Sequence, residues 1–280
     1  MRRPPHRSRL AIVLTLAVGL LTPMAANMVG ARAGASDGPV PTSLATTVAS
    51  PRPHGFAAPI SGVRPDPASI VRAAERAGRW TNVLVRVPRT LTAYARPRAG
   101  ARQVGVVPTG SKYYGIPIVA WVETVSADGR WGRVELPYVW PRRDGWIRLR
   151  GLTRDETRVR VEVDLSRHMV IVRKFGNILF RASGATGASS SPTPVGEYFV
   201  TDRVPFSAGG PLGSFAFGIS GIQPRLPAGW SGGNQLAIHG TNNPSSIGRS
   251  ASAGCVRVSE ATLDRLMPLL RYGTPVIVHA

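Results

Sequence analysis

Cysteine is nearly absent: Cys255 is the only one in 280 residues. A single thiol cannot close an internal disulfide, so the fold rests on its apolar core alone. Lysine is scarce too, at Lys112 and Lys174 only. Acids are few, 15 Asp and Glu against 35 Lys and Arg, giving a formal charge of +20. Such an excess favours polyanions: nucleic acid, a membrane surface or anionic wall polymers. Arginine bias with abundant Ala, Gly and Pro also reads as GC-rich coding, which accounts for part of that charge. One cysteine and scattered histidines supply no ligand set with zinc spacing, so neither a metal nor a cofactor is expected. Apolar runs of spanning length are missing everywhere except near the N-terminus.

That N-terminus has a basic head at Arg2, Arg3, Arg7 and Arg9, then an apolar run from Leu10 to about Leu21, then Pro23 and small residues. Ala31-Arg32-Ala33 fits a small-x-small cleavage site, so residues 1–33 read as a secretory signal peptide. An uncleaved membrane anchor is the rival reading, because the apolar stretch extends towards Ala31. Either way the chain is expected outside the cytoplasm, in a cell-wall or periplasmic-like space, which argues against nucleic acid as a partner. The mature chain then carries +20 − 5 = +15, since five arginines lie in the leader.

Residues 34–80 begin with Pro, Ala, Ser, Thr and Gly and little apolar mass, the composition of a flexible linker. Within them Asp66–Trp80 has helical spacing, with Ile70, Val71, Ala74 and Ala77 on one face. From Asn82 the pattern alternates in short runs, VLVRV, IPIVAWVETV and RWGRVEL, separated by turn signals such as Asp128-Gly129. This spacing over residues 81–153 suggests a small β-barrel. Trp131, Val134 and Leu136, followed by Gly145-Trp146-Ile147, resemble the last strands of bacterial SH3-like domains. No chemistry is expected there.

In residues 154–280, Val161, Val163 and Leu165 share a face, and a hairpin is expected around Gly176-Asn177. Ser259 is placed to cap a helix carrying Leu263, Leu266 and Met267, Pro268 to stop it, and Val276–Val278 to form a last strand. His239 follows the strand-like run Leu236–Ile238 and stands 16 residues before Cys255. A loop of that length can leave a strand and return a thiol to the imidazole. The chemistry wants such a pair, because the thiolate is the nucleophile and an imidazole can take its proton and return it to a leaving amine. No acid lies between Trp230 and Ser259, so a backbone carbonyl is the local acceptor for the second ring nitrogen. Gly254 allows close approach, and the Gly254 and Cys255 amides are candidate oxyanion donors. Arg257 is a candidate for a carboxylate, Ser252 for a hydrogen bond within the loop, and Trp230 for a pocket wall.

IHGTNNPSSIGRSASAGCVRVS resembles the active-site segment of L,D-transpeptidases with the YkuD-type catalytic domain. VEVDLSRHMVIVRKFG is similar to their opening hairpin, SPTPVGEYFV to their Thr-Pro-x-Gly segment, GGPLG to a middle turn and YGTPVIV to the closing strand. One departure stands out: Ala253 occupies a position where the family usually has a second histidine. The resemblance implies a mainly β protein: a β-sandwich catalytic domain with one or two helices, behind the small SH3-like barrel. It implies Cys255 as nucleophile, His239 as general base and acid, and the Gly240 carbonyl as its orienting acceptor. Gly254, Arg257, Ser252 and Trp230 become substrate-side candidates. The implied substrate is the peptidoglycan stem peptide, joined into 3→3 cross-links through a cysteine thioester, with carbapenems as inhibitors by analogy. With water as acceptor the same site implies an L,D-carboxypeptidase. The alternative is a non-catalytic wall-binding protein with a degenerate site.

Overall fold

The computed structural model describes residues 81–280. The expected leader, linker and Asp66–Trp80 helix lie outside the described residues. Alternating apolar positions set the strands of the front region: β1 (Asn82–Arg86), β2 (Leu91–Tyr94), β3 (Gln103–Val107), β4 (Val119–Val122), β5 (Thr124–Val125), β6 (Trp131–Glu135), β7 (Asp144–Arg148) and β8 (Arg154–Thr157). They make two antiparallel sheets, one ordered β4-β1-β8 and one ordered β3-β2-β7-β6-β5. β1 departs from simple alternation: Asn82–Val85 are all buried, so the strand is covered on both faces. Strand β8, which the sequence reading puts behind the 153/154 boundary, hydrogen-bonds to β1 with Asn82 opposite Thr157.

The rear region contains β9 (Val159–Asp164), β10 (Met169–Lys174), β11 (Asn177–Ser183), β12 (Thr186–Gly187), β13 (Gly196–Pro205), β14 (Phe215–Ile222), β15 (Gln235–His239), β16 (Ser250–Ser252), β17 (Val256–Arg257), α1 (Glu260–Leu266) and β18 (Pro275–His279). The expected hairpin joins β10 to β11, turning through Phe175 and Gly176, both at positive φ. Ser259 caps α1 by accepting from the Thr262 amide at 3.2 Å, and the helix ends before Pro268. It is the one α-helix among the described residues; Pro244–Ser246 adds a single 3-10 turn.

Eight rear strands run in the order β11-β10-β9-β18-β13-β14-β15-β17. The ten-residue β13 joins the two halves of that order. Its first part, Gly196–Phe199, pairs with β18; from Val200 onward it pairs with β14, with a register shift between Val200 and Asp202. A strand that changes partners at an irregularity turns a sheet corner. Both ends of the sheet therefore feed one core, where Val161, Val172 and Tyr198 join Phe217, Ile238 and Val256, closed by Leu263, Leu266 and Leu270.

Front and rear also share β13. Phe199 points into the front cluster with Leu84, Ile118, Leu136 and Ile147, while its neighbours Tyr198 and Val200 point into the rear cluster. Polar links cross the same seam: Tyr138 N–H donates to the Ser220 carbonyl at 2.7 Å, Arg142 Nε to the Glu197 carbonyl at 2.8 Å, and Ser220 Oγ to Glu135.

Candidate functional site

β14, β15 and β17 build the site. Phe217 and Ile238 turn into the core, so Ala216, Gly218, Ala237 and His239 face the other way. The antiparallel β14–β15 register sets Ala216 opposite His239 and Gly218 opposite Ala237. The chain then leaves β15, makes the loop through Pro244–Ser246, and returns as β17 parallel to β15, with Ile238 opposite Val256 and His239 opposite Arg257. One residue earlier, Cys255 comes level with Ala237. Two rows result, Asp202–Gly218–Ala237–Cys255 and Val204–Ala216–His239–Arg257. Cys255 and His239 thus share a face, one strand apart and two residues along. Strand spacing of ~4.8 Å and a two-residue rise of ~6.6 Å put their α-carbons about 8 Å apart. Both line a cavity of about 590 Å³ whose floor is made of the small residues Ala216, Gly218 and Ala237.

The returning loop is held by backbone and two polar side chains. Ala185 and Arg257 exchange both backbone hydrogen bonds, at 2.8 and 2.9 Å. Strand β16 pairs with β12. Thr193, from the Thr-Pro-x-Gly segment, accepts from the Gly187 amide and donates to the Gly254 carbonyl, each at 2.8 Å. Gln223 Nε2 reaches the carbonyls of Ser191, Pro192 and Ala253 at 3.0–3.4 Å.

His239 is 4% exposed. Its Nδ1–H donates to the Gly240 carbonyl at 2.6 Å, which leaves the Nε2 lone pair as the basic atom. Burial lowers the imidazole to about 4; the Gly240 carbonyl opposes that shift and the Arg257 charge adds to it. The ring is therefore neutral at neutral pH. Cys255 is half-buried, and its Sγ lies 3.9 Å from the Gln235 carbonyl. Burial pushes the thiol above its ordinary range, only partly offset by the Ala237 backbone and Arg257. At rest the thiol and the imidazole on this cavity wall are both neutral. Enclosure outweighs the single cation nearby, so the thiol is not ionised ahead of the reaction.

Of the other candidates, Gly240 sits where the sequence placed it, as acceptor for His239. Arg257 lines the cavity; its Nη1 donates to the Ala251 carbonyl at 3.4 Å, and its Nε has no partner. Trp230 also lines the cavity, 48% exposed. Gly254 does not fit its expected role. Its amide donates to Ser252 Oγ at 3.0 Å, its carbonyl is taken by Thr193, and its φ of 120° leaves no room for a Cβ against Gln223. Ser252 in turn donates to the Cys255 carbonyl at 2.5 Å. Gly254 and Ser252 therefore shape the turn, and of the two amides only that of Cys255 remains a candidate oxyanion donor.

Sequence reasoning missed Tyr113 and Tyr114, which reach the cavity from the front region where no chemistry was expected. Two adjacent tyrosines ahead of Gly115, on a turn between strands, were the available signal. It also missed Asp202, which anchors Gln235 Nε2 at 2.6 Å and so fixes the start of β15.

Residues 158–278 match the model of the YkuD family, the L,D-transpeptidase catalytic domain. Two curated relatives, both called YkuD and named for L,D-transpeptidase activity, align with part of this YkuD-like region's chain. The Bacillus licheniformis protein is 34% identical over 94 residues, covering 34% of this chain and 49% of its own. The Bacillus subtilis protein is 32% identical over 95 residues, covering 34% and 50%. The chain thus spans about half the length of the curated relatives it matches. Among solved structures, an L,D-transpeptidase in complex with imipenem aligns with TM-score 0.38 and 20% identity, covering 75% of this chain and 85% of its own.

Proposed function

We propose that the chain is an exported peptidoglycan L,D-transpeptidase that forms 3→3 cross-links through a thioester on Cys255. The observation that carries this reading is the parallel β15–β17 register, which sets the one thiol and a neutral imidazole on the same wall of a cavity. The donor stem peptide lies along the Ala216–Gly218–Ala237 floor. As Cys255 Sγ bonds to the carbonyl carbon of the third residue, His239 Nε2 takes the thiol proton, so no free thiolate is needed beforehand. The Cys255 amide faces the oxyanion. Collapse breaks the amide bond; His239 returns the proton to the departing D-Ala amine, and the thioester remains. An amine of a neighbouring stem then attacks the thioester carbonyl, giving its proton to His239, which passes it to the departing sulfur. Arg257, with an unfilled donor, holds a substrate carboxylate. Water in place of the amine makes the same site an L,D-carboxypeptidase. The SH3-like front region and the surplus of arginine suit anionic wall polymers outside the cytoplasm.

Two measurements test this. A carbapenem should add one acyl group to the mature protein by intact mass, and none to Cys255→Ala. Purified disaccharide-tetrapeptide should yield dimer less one D-Ala. Tripeptide alone would move the assignment to hydrolysis. Unchanged substrate, or an adduct persisting in Cys255→Ala, would overturn the site and favour a non-catalytic wall-binding protein.

A further inference from the structure

The cavity has a second wall with no part in the chemistry above. Three aromatic rings stand on it half-exposed: Tyr113 at 49%, Tyr114 at 53% and Trp230 at 48%, with Leu226 beside them. They come from two segments far apart in sequence, the Ser111–Gly115 turn between β3 and β4 and the loop before β15. Those segments are tied together. Tyr113 OH accepts from the Asn234 amide at 3.1 Å and lies 3.2 Å from Asn234 Oδ1, and Lys112 Nζ donates to the same Oδ1 at 2.8 Å. The Tyr113 ring packs on Gly233 so closely that a Cβ there would fall 2.6 Å from Cζ. Trp230 Nε1 donates to the Gly233 carbonyl at 3.1 Å, which fixes that ring as well. Tyr114 adds a ring whose exposure is the highest of the three.

Clustered exposed rings in a concave wall mark a ligand surface, because solvation alone gives no reason to gather them. The cluster is close to the nucleophile. Asn234 precedes Gln235, whose carbonyl lies 3.9 Å from Cys255 Sγ, so the aromatic wall starts about one residue spacing of ~3.8 Å from that carbonyl.

We propose that Tyr113, Tyr114 and Trp230 form a subsite for a pyranose ring of the glycan that carries the donor stem. This rests on the reading of Cys255 as an acyl-forming nucleophile on stem peptides. A sugar ring presents one C–H face that stacks on an aromatic plane and a rim of hydroxyl and acetamido groups that seek donors and acceptors. The wall offers both: stacking faces, and the Asn234 side-chain carboxamide and Lys112 ammonium at their edge. Length agrees. Three extended stem residues span at most about 10 Å, enough to carry a sugar from an acylated Cys255 to rings that begin beyond Asn234. The front region then completes the donor site, and the enzyme distinguishes glycan-borne stems from free peptides.

The test compares KM for disaccharide-tetrapeptide with KM for free tetrapeptide. The wild-type protein should favour the sugar-bearing substrate, and Tyr114→Ala should shrink that preference by roughly 3- to 10-fold, the range of one aromatic stacking contact. Equal KM values in the wild type, or an unaltered ratio in Tyr114→Ala, would overturn the subsite. Calorimetry with the peptide-free disaccharide separates this from the reaction itself. Saturable binding to Cys255→Ala, weakened in the Cys255→Ala/Tyr114→Ala protein, supports the subsite even if neither substrate turns over; no binding, or equal binding by both, overturns it.

Discussion

Protonating His239 should cost the folded protein stability, and the size of that cost can be worked out. Burial holds the imidazole at about 4 in the fold, against an ordinary value near 6.5 in the unfolded chain. The folded-state value is lowered, so the unfolded chain binds the extra proton first. Stability from this group is complete above about pH 6.5 and is lost as pH falls towards 4. Full loss amounts to about 3 kcal/mol, and about 2.5 kcal/mol is gone by pH 4.5. His239→Asn keeps a donor for the Gly240 carbonyl and has no proton to gain. Urea unfolding of both proteins at pH 7 and pH 4.5, followed by tryptophan fluorescence, gives the comparison. Buried carboxylates act in the opposite sense: burial lifts Glu123 to about 7 against the pull of Arg142, and burial lifts Glu135 well above the usual carboxylate range despite Ser220. Both are present in wild type and variant and cancel in the difference. The wild type should lose about 2.5 kcal/mol more than His239→Asn over that interval. Parallel losses would show that the ring is not a buried neutral base, and the proton transfer assigned to Nε2 would lose its basis.

The thiol has a matching signature. Iodoacetamide alkylation of Cys255 should stay slow at neutral pH and rise only on the alkaline side of an ordinary thiol near 8.5, because burial raises it; fast alkylation below pH 8 would mean a preformed thiolate. Gly254→Ala should cost about 1–3 kcal/mol in urea unfolding, since an alanine at φ 120° is strained and its Cβ meets Gln223. A neutral result would show that the turn before the nucleophile is slack.

The strands were legible because each face repeats every second residue, and the 16-residue span from His239 to Cys255 marked the chemistry. Local rules also gave the Ser259 cap and a backbone acceptor for His239, which the family resemblance narrowed to Gly240. What stayed hidden depends on partners far along the chain. Nothing near Gly254 announces that Ser252 and Thr193 consume its polar groups. The thiol's raised value follows from enclosure, which a local charge count around Arg257 cannot supply. Tyr113 and Asn234 are 121 positions apart, so their contact needs the whole front region folded against the rear. Ala216, Gly218 and Ala237 look like ordinary small residues until the ladder aligns them into a floor.

Because Phe199 sits among Leu84, Ile118 and Ile147 while Tyr198 and Val200 serve the other core, the front and rear regions of the described residues share a strand and have no clean boundary between them. Trimming away everything before residue 154 would leave a phenylalanine on bare solvent and strip the pocket of two tyrosines. Evolution could not swap the front piece as an interchangeable bead; whatever replaced it would have to supply a lining for that ring and a rim for the pocket together.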